Sequence, residues 1–323
     1  MPLTDMSLSE LRTYSPTVDE PADFDEFWAR TLSEARAIDI DTRFVRVEQP
    51  LRTLESYDVT FRGFGGDDIR GWLHLPAHRG AEPLPCVVEY LGYGGGRGLV
   101  HDRVLWATAG YAHFVMDSRG QGSGWLIGDT PDPHGAGPST GAFMTRGIES
   151  ADGYYYRRLI TDAVRALEAA AAHPAVDATR IVVAGGSQGG ALSLSVAGLV
   201  GDAIRGTIPD VPFLCHMRRA VDICDKNPFA EVAAYLKARR DVAPVFKTLS
   251  YADGVNFAKR ATTSALFSIA MMDDTCPPST CFAAYNAYAG PKDVRVYEFN
   301  NHEGGQGFFI AESLTWLEAL LAT

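Results

Sequence analysis

No part of the 323-residue sequence approaches the about 20 consecutive apolar residues that cross a bilayer. The first ten residues lack a basic stretch followed by an apolar one, so no secretory leader is expected and the protein is expected in the cytoplasm. Positive charge is in short supply: 29 Lys and Arg stand against 40 Asp and Glu, a formal net charge of −11. Nucleic-acid partners, which need basic surface, are therefore not expected, and neither is a membrane. Paired cysteines are also missing. Cys86, Cys215, Cys224, Cys276 and Cys281 are odd in number, scattered and free of any CxxC spacing. They read as reduced thiols acting as small buried hydrophobes, not as a disulfide framework or a zinc site. No HxxEH or HxH cluster occurs, so no metal and no cofactor is expected. Global disorder is excluded by a composition that is 46% hydrophobic and 21% charged.

What is present is an alternation of apolar runs and helical patterns without internal repeats, which argues for an α/β layer structure. Tyr57 to Phe61 and Ile69 to Leu75 read as a hairpin around the Gly-Gly-Asp-Asp turn at 65–68. Further strands are expected at Cys86 to Leu91, His113 to Asp117, Ile181 to Ala184, Gly206 to Val211, Leu266 to Met271 and Val294 to Phe299. Helices are expected at Phe24 to Ala37, Arg158 to Ala172, Gln188 to Leu199, Ser279 to Tyr288 and Gly307 to Leu321. The chain reads as a single domain, 1–323. Within it lie a helical extension over 1–45, a long Gly-, Pro- and Asp-rich loop over 118–157 and a cap-like insertion over 212–262. Phe24, Phe27, Trp28 and Leu32 form a stripe expected to pack the extension onto the main body.

The sharpest chemical signal is Ile181 to Gly190, where a β-branched strand runs into Gly185-Gly186-Ser187-Gln188-Gly189 and then into a helical pattern. That context is a nucleophile elbow. A serine on a tight strand-to-helix turn needs small neighbours two residues away on either side. The helix that follows turns its positive end toward an oxyanion, and the N–H of Gln188 is one expected donor. The serine needs a base, and the base an orienting acid, in the chain order Ser, Asp or Glu, His. Only His216 and His302 follow Ser187. His302 lies between the last strand and the last helix and is the expected base; His216 falls in the cap. Asp273 ends the preceding strand and is the expected acid. Asp274 reads as a turn carboxylate, and Asp210 is the outside alternative. A second oxyanion donor is expected in the Gly-rich loop Leu91 to Gly98. Other serine hydrolases (a peptidase, an amidase or a longer-chain esterase) and a non-catalytic scaffold are the competing readings.

Ser187-Gln188-Gly189-Gly190 combines with Arg119-Gly120-Gln121 and His302-Glu303 in a pattern that resembles the acetyl xylan esterase and cephalosporin C deacetylase family, the seventh family of carbohydrate esterases. The similarity extends through Asp23 to Trp28, Met116 to Trp125, Tyr154 to Arg158 and Cys276 to Thr280. It implies an α/β-hydrolase fold with a mostly parallel eight-stranded sheet and helices on both faces. The implied triad is Ser187, Asp273 and His302. The implied oxyanion donors are the N–H groups of Tyr93 and Gln188, with Arg119 and Gln121 bracing the site. The implied substrates are small acetylated sugars or cephalosporin-type acetyl esters. The implied assembly is a homo-oligomer, a hexamer.

Overall fold

In the computed structural model, which describes residues 5–134 and 137–322, the apolar runs assemble into one sheet in the order β1-β2-β3-β5-β4-β6-β7-β8-β9. The strands are β1 (Arg43–Val47), β2 (Leu54–Arg62), β3 (Asp68–Pro76), β4 (Leu84–Tyr90), β5 (Ala112–Met116), β6 (Val176–Gly186), β7 (Gly206–Asp210), β8 (Ser264–Ala270) and β9 (Lys292–Tyr297). The first three and the β3–β5 pair are antiparallel, and β5, β4, β6, β7, β8 and β9 run parallel. The sheet has nine strands, not the expected eight. The extra one, β1, falls where a helical extension was expected to run to residue 45. It is an edge strand whose residues are exposed or half-buried, including Arg43 and Arg46. An edge strand carrying charge shows none of the apolar continuity that marks a buried strand.

Helices α1 (Leu8–Leu11) and α2 (Phe24–Arg36) precede the sheet, and α3 (Leu105–Thr108) and α4 (Tyr155–Ala171) lie between its early strands. Helix α5 (Gln188–Val200) follows β6. The segment between β7 and β8 carries α6 (Met217–Ile223), α7 (Phe229–Arg239), α8 (Val242–Ser250) and α9 (Gly254–Ala258). Helices α10 (Pro278–Ala287) and α11 (Gln306–Leu321) flank β9. From residue 118 to Tyr154 the described chain forms turns and bends only. No described helix is long and apolar enough to cross a membrane.

Alternation along the central strands divides the core. Val88 and Val183 face the larger layer with Leu159, Leu192 and Phe282, whereas Val87, Val182 and Leu266 face Trp106, Phe309 and Leu317. Both faces are thus covered, as a parallel sheet requires. The α2 stripe is buried as expected: Phe24 meets Phe257 at 5.2 Å between ring centroids, and Trp28 Nε1 donates to the Tyr251 carbonyl at 2.9 Å. All five cysteines are buried and unpaired.

Candidate active site

Strand β6 ends at Gly186 and α5 begins at Gln188, so Ser187 alone makes the turn, with φ 56° and ψ −115°. A non-glycine residue there costs of order 1–3 kcal/mol and persists only where its surroundings fix it. The Ser187 N–H donates to the Asp210 carbonyl at 2.9 Å, and the Ser187 carbonyl accepts from Phe213 N at 3.0 Å. Both flanking glycines are obligatory. A Cβ at Gly189 would stand 2.1 Å from the Tyr90 carbonyl oxygen, and one at Gly185 2.5 Å from the Gly189 carbonyl carbon.

Three side chains meet at this turn. The Ser187 hydroxyl lies 2.9 Å from His302 Nε2, and His302 Nδ1 lies 2.8 Å from Asp273 Oδ2. The other Asp273 oxygen accepts from the N–H groups of Thr275 (2.9 Å) and Cys276 (2.7 Å), which fixes the carboxylate plane. His302 is held in turn through its N–H on Asn301 Oδ1 at 2.7 Å. Asp274 points elsewhere, to Lys226, and its pKa lies below the ordinary value chiefly through that partner. His216 caps α6 beside Asp253 in a separate recess.

Burial alone would lower the His302 pKa. The hydrogen bond and charge of Asp273, with the charges of Asp210 and Asp274, outweigh it and raise the pKa above the ordinary imidazole value. Asp210 is itself pushed up to about 6 by burial, against the Ser268 hydroxyl and the charge of His302. As the expected base, His302 accepts a proton only when neutral, so activity should be present above its pKa and lost as pH falls through it. Removing the Asp210 charge lowers that pKa. In Asp210→Asn the acid limb of kcat/KM should therefore move to lower pH, with Ser268 still able to donate to the amide oxygen. A limb that stays in place or moves up removes Asp210 from the electrostatics of His302.

The N–H groups of Tyr93 and Gln188 have no intramolecular acceptor among the described residues. Their loops are wired together. Gln121 Oε1 accepts from Gly94 N at 2.7 Å, and Gln121 Nε2 donates to Gln188 Oε1 at 2.9 Å. Gln188 Nε2 reaches the Leu91 carbonyl at 3.2 Å. Arg119 is fully buried, with its guanidinium on Asp162 (2.5 and 2.8 Å) and Asp67 (2.9 Å), and its carbonyl accepts from Tyr155 OH at 2.7 Å. Neither Arg119 nor Gln121 touches the serine; both hold the loops around it.

The cleft over Ser187 has a volume of about 450 Å³ and is lined by Tyr93, Pro228, Trp125, Asn227, Thr275, Arg103 and Asp210. Phe213 is not part of the lining; it is buried, with its ring 4.5 Å from Phe229. Trp125 is half exposed, and its Nε1 donates to the Tyr93 carbonyl at 2.9 Å. Glu231, 138 residues from Tyr93, accepts from the Tyr93 hydroxyl at 2.8 and 3.0 Å. Burial pushes the Glu231 pKa up, while this hydroxyl and the N–H of Met144 hold it back. No sequence motif marks Asn227, Thr275 or Arg103 in the cleft, or Glu231 on the Tyr93 hydroxyl, because chain folding alone brings them there.

One set of metal-type donors occurs among the described residues. Asp273, Cys276 and His302 place ligand atoms within 4.8 Å of one another. Asp273 and His302 are already committed to each other, and burial raises the Cys276 pKa well above its usual value, so its sulfur stays a protonated thiol and a poor ligand.

Residues 1–320 match the family model described as acetyl xylan esterase (AXE1). An acetyl xylan esterase from Paenibacillus sp. R4 superposes with a TM-score of 0.92 at 38% identity, covering 97% of this chain and 99% of that one. Acetyl xylan esterase 1 from Thermoanaerobacterium sp. JW/SL YS485 gives 0.88 at 33% identity, with the same coverage. An acetyl esterase of Xylanibacter ruminicola is 26% identical over 294 residues, 89% of this chain but only 64% of that protein's length. With this match along nearly its whole length, the chain belongs to the acetyl xylan esterase family.

Proposed function

We propose that the protein is a serine carboxylesterase that removes acetyl groups from acetylated xylo-oligosaccharides and cephalosporin-type acetyl esters. The observation that carries this reading is the hydrogen-bonded order Ser187, His302, Asp273 at the floor of an open cleft, beside two backbone N–H groups that find no acceptor among the described residues. Ser187 Oγ attacks the ester carbonyl carbon while His302 Nε2 takes its proton. Asp273 keeps Nδ1 protonated and stabilises the imidazolium. The Tyr93 and Gln188 N–H groups receive the oxyanion, a contribution of about 3–4 kcal/mol per donor. The imidazolium then protonates the departing alcohol. In the second half, His302 takes a proton from water, the water attacks the acetyl-serine, and acetate leaves as Ser187 regains its proton. Family membership supports a homo-oligomer, a hexamer, as part of the same proposal; sedimentation would measure it.

A series of p-nitrophenyl esters together with an organophosphonate probe tests the activity. The acetate ester should be the best substrate and the octanoate ester at least about tenfold poorer, since small apolar pockets discriminate by such factors for each methylene. The probe should label Ser187 covalently. Equal or rising activity with acyl length would favour a longer-chain esterase, and no labelling would remove the serine mechanism.

A further inference from the structure

Arg103 lies on the loop between the Gly-rich turn and α3, and it lines the catalytic cleft together with Ser187 and His302. Its Nη2 donates to Glu89 Oε1. Glu89 Oε2 lies 2.7 Å from Nε2 of the fully buried His113, on the neighbouring strand. Burial would raise the Glu89 pKa, but Arg103 and His113 outweigh it and hold Glu89 down at about 2, so it is a fixed anion. The pair is polarised. The Glu89 side chain is 10% exposed inside the sheet, whereas Arg103 is 33% exposed on the cleft side. Among the described residues, Nε and Nη1 of Arg103 have no hydrogen-bond acceptor. A guanidinium offers five N–H donors in a rigid fork, and most of this one is left for a ligand.

The cleft does not stop at Arg103. A second recess of about 200 Å³ shares Arg103, Gly186 and Asp210 with it and runs on between Trp106 and Phe309. Arg103 therefore stands where the two spaces meet, beside the nucleophile but outside the hydrogen-bonded triad. Asp210 lines both spaces too, with its Oδ1 engaged by Ser268. Asp102 adds its charge near Arg103 while its Oδ2 accepts from Leu99 N at 2.6 Å.

We infer that Arg103 is a specificity site for a carboxylate on the alcohol side of the ester, so that the preferred substrates are acetyl esters that also carry an acid. This rests on the esterase reading and narrows its substrate class. Two sources offer that chemistry: a uronate in an acetylated oligosaccharide and the acid of an acetoxymethyl cephem. A carboxylate laid against the open edge of Arg103 makes a charge-assisted, bidentate contact that neither methyl ester can reproduce.

The test compares kcat/KM, by acetate release, for methyl tri-O-acetylglucuronic acid against its methyl ester, and for the acetoxymethyl cephem acid against its methyl ester. In the wild type one acid should exceed its ester by about 10- to 100-fold, and the arm that shows it identifies the source. That ratio should shrink with added salt. It should fall to about one in Arg103→Met. It should fall equally in Glu89→Gln/Arg103→Met, which leaves no unpaired buried carboxylate and guards against misfolding of the single variant. No preference for either acid in the wild type, or a preference that survives both variants, overturns the inference. Cleavage of p-nitrophenyl acetate by the wild type is scored separately. Its loss would strike the esterase reading, whereas its presence without an acid preference strikes only Arg103.

Discussion

Ser187→Ala should lower kcat on p-nitrophenyl acetate by roughly a million-fold and abolish labelling by an organophosphonate, with the circular dichroism spectrum unchanged. The size follows from the way the site is built. In the proposed mechanism attack, proton transfer and release all pass through one oxygen, which among the described residues is the one group hydrogen-bonded to His302 Nε2. Triad members act as a unit, and losing the nucleophile costs about as much as losing the set. The fold should survive because the elbow is held by its backbone, not by the hydroxyl. Asp210, Phe213 and Ala191 hold the N–H and carbonyl of Ser187, and the tight approach of Gly189 to Tyr90 is untouched. Alanine meets the same cost at φ 56° that serine already meets. Retained turnover in this variant would end the proposed mechanism.

Asp273→Asn should lower kcat by about 10⁴, whereas Asp274→Asn should change it by less than about fivefold. The argument turns on which way an amide must point. Asp273 Oδ1 accepts from Thr275 N and Cys276 N, so asparagine keeps its oxygen on those two donors and turns its NH₂ toward His302. An NH₂ facing Nδ1 forces that nitrogen to accept, which places the imidazole proton on Nε2. A protonated Nε2 cannot take the proton of Ser187. Asp274 instead meets Lys226, which is 53% exposed, and such surface pairs are worth about 0–1 kcal/mol. Full activity in Asp273→Asn with a large loss in Asp274→Asn would reverse the assignment. Both variants are read at a pH above the His302 limb, so that a shifted limb is not mistaken for a lost acid.

Much of this site was legible because its parts are local in sequence. A strand, a single serine between paired glycines and a helix carry their own geometry. The tightness of the turn excludes any Cβ at Gly185 or Gly189, and nothing distant has to be known. The expected strands at Cys86 to Leu91 and His113 to Asp117 appear within two residues of their expected bounds as β4 and β5, because both faces of a parallel strand are buried and each run is largely apolar, broken only by Glu89 in the first and by His113 and the terminal Asp117 in the second. Strand β1 escaped for the opposite reason. An exposed edge strand is held by backbone ladder bonds to β2, and only Phe44 and Val47 of its side chains lean on the core, too few to mark a buried strand.

The sequence by itself determined the serine elbow, and narrowed the proposed base and acid to the loops after the last two strands. Tertiary structure decided what those groups face. Asp273 and Asp274 differ by one position, and only the packed loop turns the first to His302 and the second to Lys226. The same holds for Glu231 beneath Tyr93 and for Arg103 anchored on Glu89, whose partners come from other segments of the chain. A turn is fixed by sterics among neighbouring residues. A hydrogen bond between distant side chains is fixed by the register of the whole sheet, and no local pattern encodes it.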